Sequence, residues 1–247
     1  MNKLGWRASL AILLISTSAF IFIANYLIFQ NVTDELFLLV EELGFIPIEV
    51  LIVTLIIDQL LQKREKRSRL EKMNMVIGAF FSDIGLELLR FIVSLDSRIE
   101  EVRNAMNISQ NWKESDFISA KESLKTYSPQ FSCSPIALEK LKVMLRSRKN
   151  FILRLLENPN LLEHESFTDL LWAVSHVMEE LEARRDITCL NPEDIAHLEN
   201  DLKRAYLLII FEWLDYMKHL QSKYPYLYSL SVRTNPFNPN AKAEITA

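Results

Sequence analysis

Residues 8–29 read ASLAILLISTSAFIFIANYLIF, without one charged side chain. The hydrocarbon core of a bilayer needs about 20 apolar residues of helix, so this stretch predicts a spanning helix. Its polar members are Ser9, Ser16, Thr17, Ser18 and Asn25, and the hydroxyls among them can bond back to their own helix. A cleaved signal peptide competes, because Lys3 and Arg7 precede the stretch and Ser16-Thr17-Ser18 offers small residues. The apolar run continues well past Ser18, as far as Phe29, which favours an uncleaved anchor.

Outward from there, residues 45–61 (FIPIEVLIVTLIIDQLL) form a second apolar run. At 1.5 Å per residue it covers about 25 Å, the short end of what a bilayer requires. Pro47 suits a helix's first turn, where no amide hydrogen bond is lost, and predicts that the helix begins there. The segment between the runs carries Asp34, Glu35, Glu41 and Glu42 and no base, whereas Lys63-Arg64-Glu65-Lys66-Arg67-Ser68-Arg69 follows the second run. With Lys3 and Arg7 ahead of the first run, the positive-inside rule places both termini in the cytoplasm and the short loop outside. The expected organisation is all-α: a two-helix transmembrane hairpin over 1–62 with spans at 8–29 and 45–61, a basic juxtamembrane collar over 63–72, a cytoplasmic helical bundle over 73–237, and a disordered tail over 238–247. The expected location is the inner (plasma) membrane, with the chain multi-pass.

Glu49 and Asp58 fall inside the second run, where an ionisable group is a functional hypothesis by default. Nine residues at about 100° each put them on opposite sides of the helix, so they cannot form one site. Glu49 near the outer end meets the positive end of the helix dipole, and Asp58 is about one turn from Lys63 and Arg64. Both read first as interfacial carboxylates, with an ion or proton relay and oligomer contacts as alternatives.

Only 4 Gly and 8 Pro occur in 247 residues, against about 17 Gly at average usage. That scarcity argues against a turn-rich β protein and against glycine-rich nucleotide-binding folds. The net charge of −4 argues against bulk nucleic-acid binding. The collar, residues 63–72, carries Lys63, Arg64, Lys66, Arg67, Arg69 and Lys72, a net of +4, while the chain beyond it nets −4. Each collar base is attracted to anionic lipid headgroups by about 1 kcal/mol near the surface. No aromatic side chains are interleaved with these bases as stacking platforms, so the expected partner is the bilayer and not a nucleic acid. Cys133 and Cys189 stand far apart in the chain, without metal-ligand spacing, and read as reduced structural thiols.

Residues 73–95, MNMVIGAFFSDIGLELLRFIVSL, place Met73, Val76, Ile77, Phe80, Ile84, Leu88, Phe91, Ile92 and Leu95 at helical spacing. Gly78, Ser82 and Gly85 add a stripe without bulky side chains. Glycine inside a helix costs about 1 kcal/mol relative to alanine, so close packing of another helix is expected there. Further helices are expected over 113–125, from Pro135 to about Glu157, from Phe167 to Arg184, and for about 30 residues from Asn191-Pro192-Glu193-Asp194, a start signal with an Asn cap, a proline at the first position and acids over the dipole. Asn158-Pro159-Asn160 closes the second of these.

A metal-binding bundle built on Glu-x-x-His pairs finds no such pair among His164, His176, His197 and His219. The nearest approaches are Asp194-x-x-His197, His176-x-x-Glu179, and Glu212 with Asp215 and His219 on one face. Among 32 acids such coincidences are expected, and no metal or cofactor is assigned. Hydrolase, zinc and P-loop signatures are absent. Toward the C-terminus, Trp213, Tyr216, Tyr224, Tyr226, Tyr228, Arg233 and Phe237 are types that anchor interfaces and equally types that close a helical core.

Finally, NMVIGAFFSDIG (74–85), EWLDYMKHL (212–220) and YPYLYSLSVRTNPF (224–237) resemble an uncharacterised family of prokaryotic two-span membrane proteins with a cytoplasmic helical domain. The likeness runs from the second span to Phe237. Since that family has no assigned activity, it implies an architecture and no catalytic residues. The functional expectation is a membrane-anchored, self-associating scaffold, sensor or adaptor without catalysis, open to a protein partner. A pore-forming or channel-like effector, and a helical-bundle metal protein or enzyme, are the alternatives.

Overall fold

The structure, a computed structural model, describes residues 3–28, 34–159, 161 and 164–244. Phe29, the 29–33 part of the connecting loop, Asn160, residues 245–247 of the expected tail, and the side chains of Lys3, Arg7, Asp34, Glu35 and Arg69 lie outside that description. The chain forms two compact units, Met1–Arg69 and Leu70–Ala247. It is all-helical, and among the described residues no strand occurs beyond an isolated bridge between Asp96 and Phe131.

The first unit holds α1 (Lys3–Ile28) and the leading part of α2 (Asp34–Phe80). Among the described residues, one helical segment, Ala8–Ile28, is long and apolar enough to cross a membrane, and only 11% of its most apolar window is buried. α2 begins well before the start that its proline predicts, so Pro47 stands inside the helix. A proline there has no N–H to donate and frees carbonyls in the preceding turn. In the same turn, next to the Leu43 carbonyl that loses the Pro47 N–H, the Ser18 hydroxyl of α1 donates to the Gly44 carbonyl at 2.5 Å. Gly44 makes the approach possible: a Cβ there would stand 3.1 Å from the Phe22 ring. Phe22 then meets Phe45 edge-to-face at 5.4 Å between centroids.

In the second unit α2 ends at Phe80 and passes through one π turn, Phe81–Gly85, into α3 (Leu86–Val93). The extra residue of a π turn rotates the helix face. Here it lets two adjacent rings, Phe80 and Phe81, both point into the core with Ile84, all at most 1% exposed. α4 (Glu100–Arg103), α5 (Glu114–Lys125), α6 (Pro135–Ser147) and α7 (Lys149–Leu156) follow, the last two dividing at Arg148 what the sequence predicts as one helix. α8 (Glu165–Ala183) and α9 (Pro192–Lys223) form the most extensive helix pair, and α10 (Pro225–Arg233) packs back on α9. Asn191 caps α9 as its sequence indicates, its side chain accepting from the Asp194 N–H at 2.7 Å.

The loops are tied inward through Asp96, 4% exposed. Its carboxylate accepts from the Tyr127 hydroxyl and from the Arg98 and Gln130 amides at 3.1 and 3.2 Å. Beyond α10, Pro239 and Asn240 form a turn, and the Lys242 N–H donates to the Arg233 carbonyl at 3.1 Å.

Candidate functional site

In the first unit the apolar run of α2 turns large side chains outward, among them Phe45, Val50, Ile52, Val53, Ile56, Leu60 and Leu61. Monomeric soluble proteins rarely expose contiguous apolar surface on this scale. Glu49 is exposed and Asp58 half-buried. The Gln62 amide, one turn on, donates to Asp58 at 2.9 Å. Lys63, Arg64, Lys66 and Arg67 are exposed on the same helix. In the second unit Lys72 is exposed as well.

The small-residue stripe divides into separate contacts, because the π turn shifts the register between its members. A Cβ on Gly78 would meet the Tyr216 hydroxyl of α9 at 3.3 Å, so another helix does approach there. One on Gly85 would meet the Phe80 and Phe81 rings, both at 2.7 Å, rings of the same helical segment. Ser82 is exposed.

The C-terminal aromatics also divide. Trp213, Tyr228 and Phe237 are buried to 2% exposure or less. Trp213 packs on Phe237 with centroids 5.2 Å apart, and the Tyr228 hydroxyl donates to the Ser109 carbonyl at 2.8 Å. Burial pushes the Tyr228 phenol up to about 12. Arg233 is half-buried, whereas Tyr224 and Tyr226 are exposed. Tyr216, stacked on Phe81 at 5.1 Å, lines a groove with Gly78, His219 and Tyr224.

Of the acid and histidine groupings, Glu212, Asp215 and His219 do not converge. Glu212 is 2% exposed, and burial raises its pKa above the ordinary glutamate value. Asp215 pairs with Lys121 at 2.5 Å, and His219 lies edge-on to the Tyr224 ring. Glu179 is exposed and Asp194 is held by Arg184 at 2.9 Å. The structure instead brings together two pairs at i,i+4 spacing, which share a helix face: His176 and Glu180 on α8, His197 and Asp201 on α9. The helices run antiparallel, so the pairs interleave. His197 Nε2 stands 3.3 Å from Asp201 Oδ2 and 3.6 Å from a Glu180 oxygen, and His176 Nε2 stands 3.3 Å from the same Asp201 oxygen. Glu180, His197 and Asp201 each offer a metal-ligand atom within 4.8 Å of the others. Arg184 donates to Glu180 at 2.7 Å and holds its carboxyl below the usual range, with smaller contributions from the two imidazoles.

The exposed thiol is Cys189, while Cys133 is buried and its pKa is raised to about 12 by burial and the neighbouring Glu199. Both are free.

Two family models match the chain: "MJ1433, N-terminal helical domain" over residues 2–61 and "Uncharacterized protein MJ1433, C-terminal helical domain" over residues 69–233. The chain is 44% identical over 238 residues to Uncharacterized protein MJ1433 of Methanocaldococcus jannaschii, covering 96% of each chain. No solved structure matches.

Proposed function

This chain belongs to the MJ1433 family of helical proteins, and we propose that it is a non-catalytic scaffold, sensor or adaptor anchored at the inner face of the plasma membrane. What carries the reading is the apolar surface of the first unit. Ala8–Ile28 is almost unburied, and the 45–61 run of α2 turns Ile, Leu, Val and Phe outward on the helix that goes on to carry the exposed bases Lys63, Arg64, Lys66 and Arg67. In water that surface would be a severe liability, whereas in lipid it is the expected one. Ser18 fits the same environment, its hydroxyl donating from α1 to the Gly44 carbonyl of α2. The bases then lie at the cytoplasmic headgroups, and both termini face the cell interior.

The test is extraction. Membranes from cells expressing the full chain should retain it after alkaline carbonate and release it to detergent. Recovery in the carbonate supernatant would refute the anchor.

A further inference from the structure

We infer that Glu180, His197 and Asp201 hold one divalent transition-metal ion of the zinc class between α8 and α9, with His176 beside them. The observation that separates this cluster from ordinary surface ion pairs is Asp201. Its side chain is 4% exposed, and its Oδ2 accepts no hydrogen bond from any group among the described residues. Two imidazole Nε2 atoms nevertheless stand 3.3 Å from it. A buried carboxylate oxygen in this state is costly, and natural proteins satisfy such atoms with hydrogen bonds, partner charges or metals.

A charge-assisted N–H···O contact closes to about 2.7–2.9 Å and is well aligned. Neither imidazole meets those terms. Donors on a common tetrahedral ion are spaced differently: at metal–donor distances of about 2.0–2.2 Å, neighbouring ligand atoms stand about 3.3–3.6 Å apart. Within the cluster, His197 Nε2 stands 3.3 Å from Asp201 Oδ2 and 3.6 Å from Glu180 Oε2.

The donor chemistry selects the class of ion. Magnesium and calcium take oxygen ligands, whereas imidazole mixed with carboxylate suits zinc and its transition-metal neighbours. The positive groups that face the cluster do not fill it. Arg184 divides itself between Glu180 and Asp194 at the cluster's outer edge, in the manner of a partner that orients a ligating carboxylate. Arg204 approaches only the other oxygen of Asp201, at 3.9 Å. The side chains of His176 and His197 are 44% and 52% exposed, so an ion enters from solvent and can keep a water at its open face.

This inference is independent of the membrane reading, because the cluster is tested in detergent. Untagged full chain, stripped with a chelator and carrying Cys189→Ser to remove the exposed thiol, is titrated with Zn²⁺ by calorimetry and with Co²⁺ by visible absorption. The expected result is one ion per chain, with affinity reduced at least about tenfold, over 1 kcal/mol, by His197→Gln and by Asp201→Asn, and unchanged by Glu179→Gln on the neighbouring exposed turn. His197 is half-exposed, so its variant should fold even if the Asp201 variant does not, and far-UV circular dichroism checks both. No saturable binding, or equal affinity in the parent chain and His197→Gln, overturns the proposal.

Discussion

Gly85 and Gly78 lie one helical segment apart, yet their surroundings give opposite consequences for the same substitution. Both have helical backbones without positive φ, so conformational freedom is not what either supplies. An alanine at either position gains about 1 kcal/mol of helix propensity. At Gly85 the new methyl would meet two ring carbons at 2.7 Å, well inside contact distance. Those rings cannot retreat. Phe80 is fully buried and packs edge-on against Phe81 and Phe167, and Phe81 is 1% exposed and stacked on Tyr216. Overpacking a closed core costs about 1–3 kcal/mol. With both rings held in place the cost falls in the upper half of that range, about 2–3 kcal/mol, so Gly85→Ala should lose about 1–2 kcal/mol net, and in a unit of this size each kcal/mol moves Tm by about 2–4 °C. At Gly78 the nearest atom is the Tyr216 hydroxyl at 3.3 Å, the far end of a half-buried side chain that can yield slightly, so Gly78→Ala should melt at or a few degrees above the parent. Thermal melts of the detergent-solubilised full chain, followed by tryptophan fluorescence, read both. Gly85→Ala melting at or above the parent would refute the packing argument.

The remaining expectations follow from buried polar groups and a cap. For Glu212, whose folded pKa lies above the ordinary 4.5, the unfolded chain binds fewer protons between the two values, so stability falls as pH rises through that window and stays lower above it. Glu212→Gln removes this fall and should gain Tm over the parent at neutral pH but not below the ordinary glutamate value; an equal difference at both would contradict it. Tyr127→Phe deletes the hydroxyl that donates to the buried Asp96 carboxylate and should lose about 1–3 kcal/mol in urea titrations, with the slope unchanged. Asn191→Ala deletes the α9 cap and should lose about 1 kcal/mol, with amide exchange quickened in the first turn of α9; unaltered protection there would count against the cap.

The long helices were legible because their signals are local. The Asn191-Pro192 start, the Pro135 start behind Ser134, and the apolar periodicity of α8 need no tertiary information. The π turn was not legible, since nothing in FFSDIG distinguishes adjacent phenylalanines on one face from a simple 3.6-residue repeat. Pro47 misled for a related reason: proline commonly opens a helix, and here the helix runs through it. The histidine cluster did leave a trace, as His176 with Glu180 and His197 with Asp201 share one spacing on consecutive helices. The Glu-x-x-His pattern passes over four-residue spacing, and the absence of a hydrogen bond at Asp201 Oδ2 is a property of packing that no sequence displays.

The central claim, an anchored chain whose helical bulk faces the cytoplasm, is tested most directly at Cys189, the exposed thiol beside a buried Cys133. Sealed inside-out membrane vesicles, salt-washed and treated with a membrane-impermeant maleimide, should carry the chain and acquire one label on Cys189 without detergent. Absence of the chain from those vesicles, or labelling only after detergent opens them, would contradict the account.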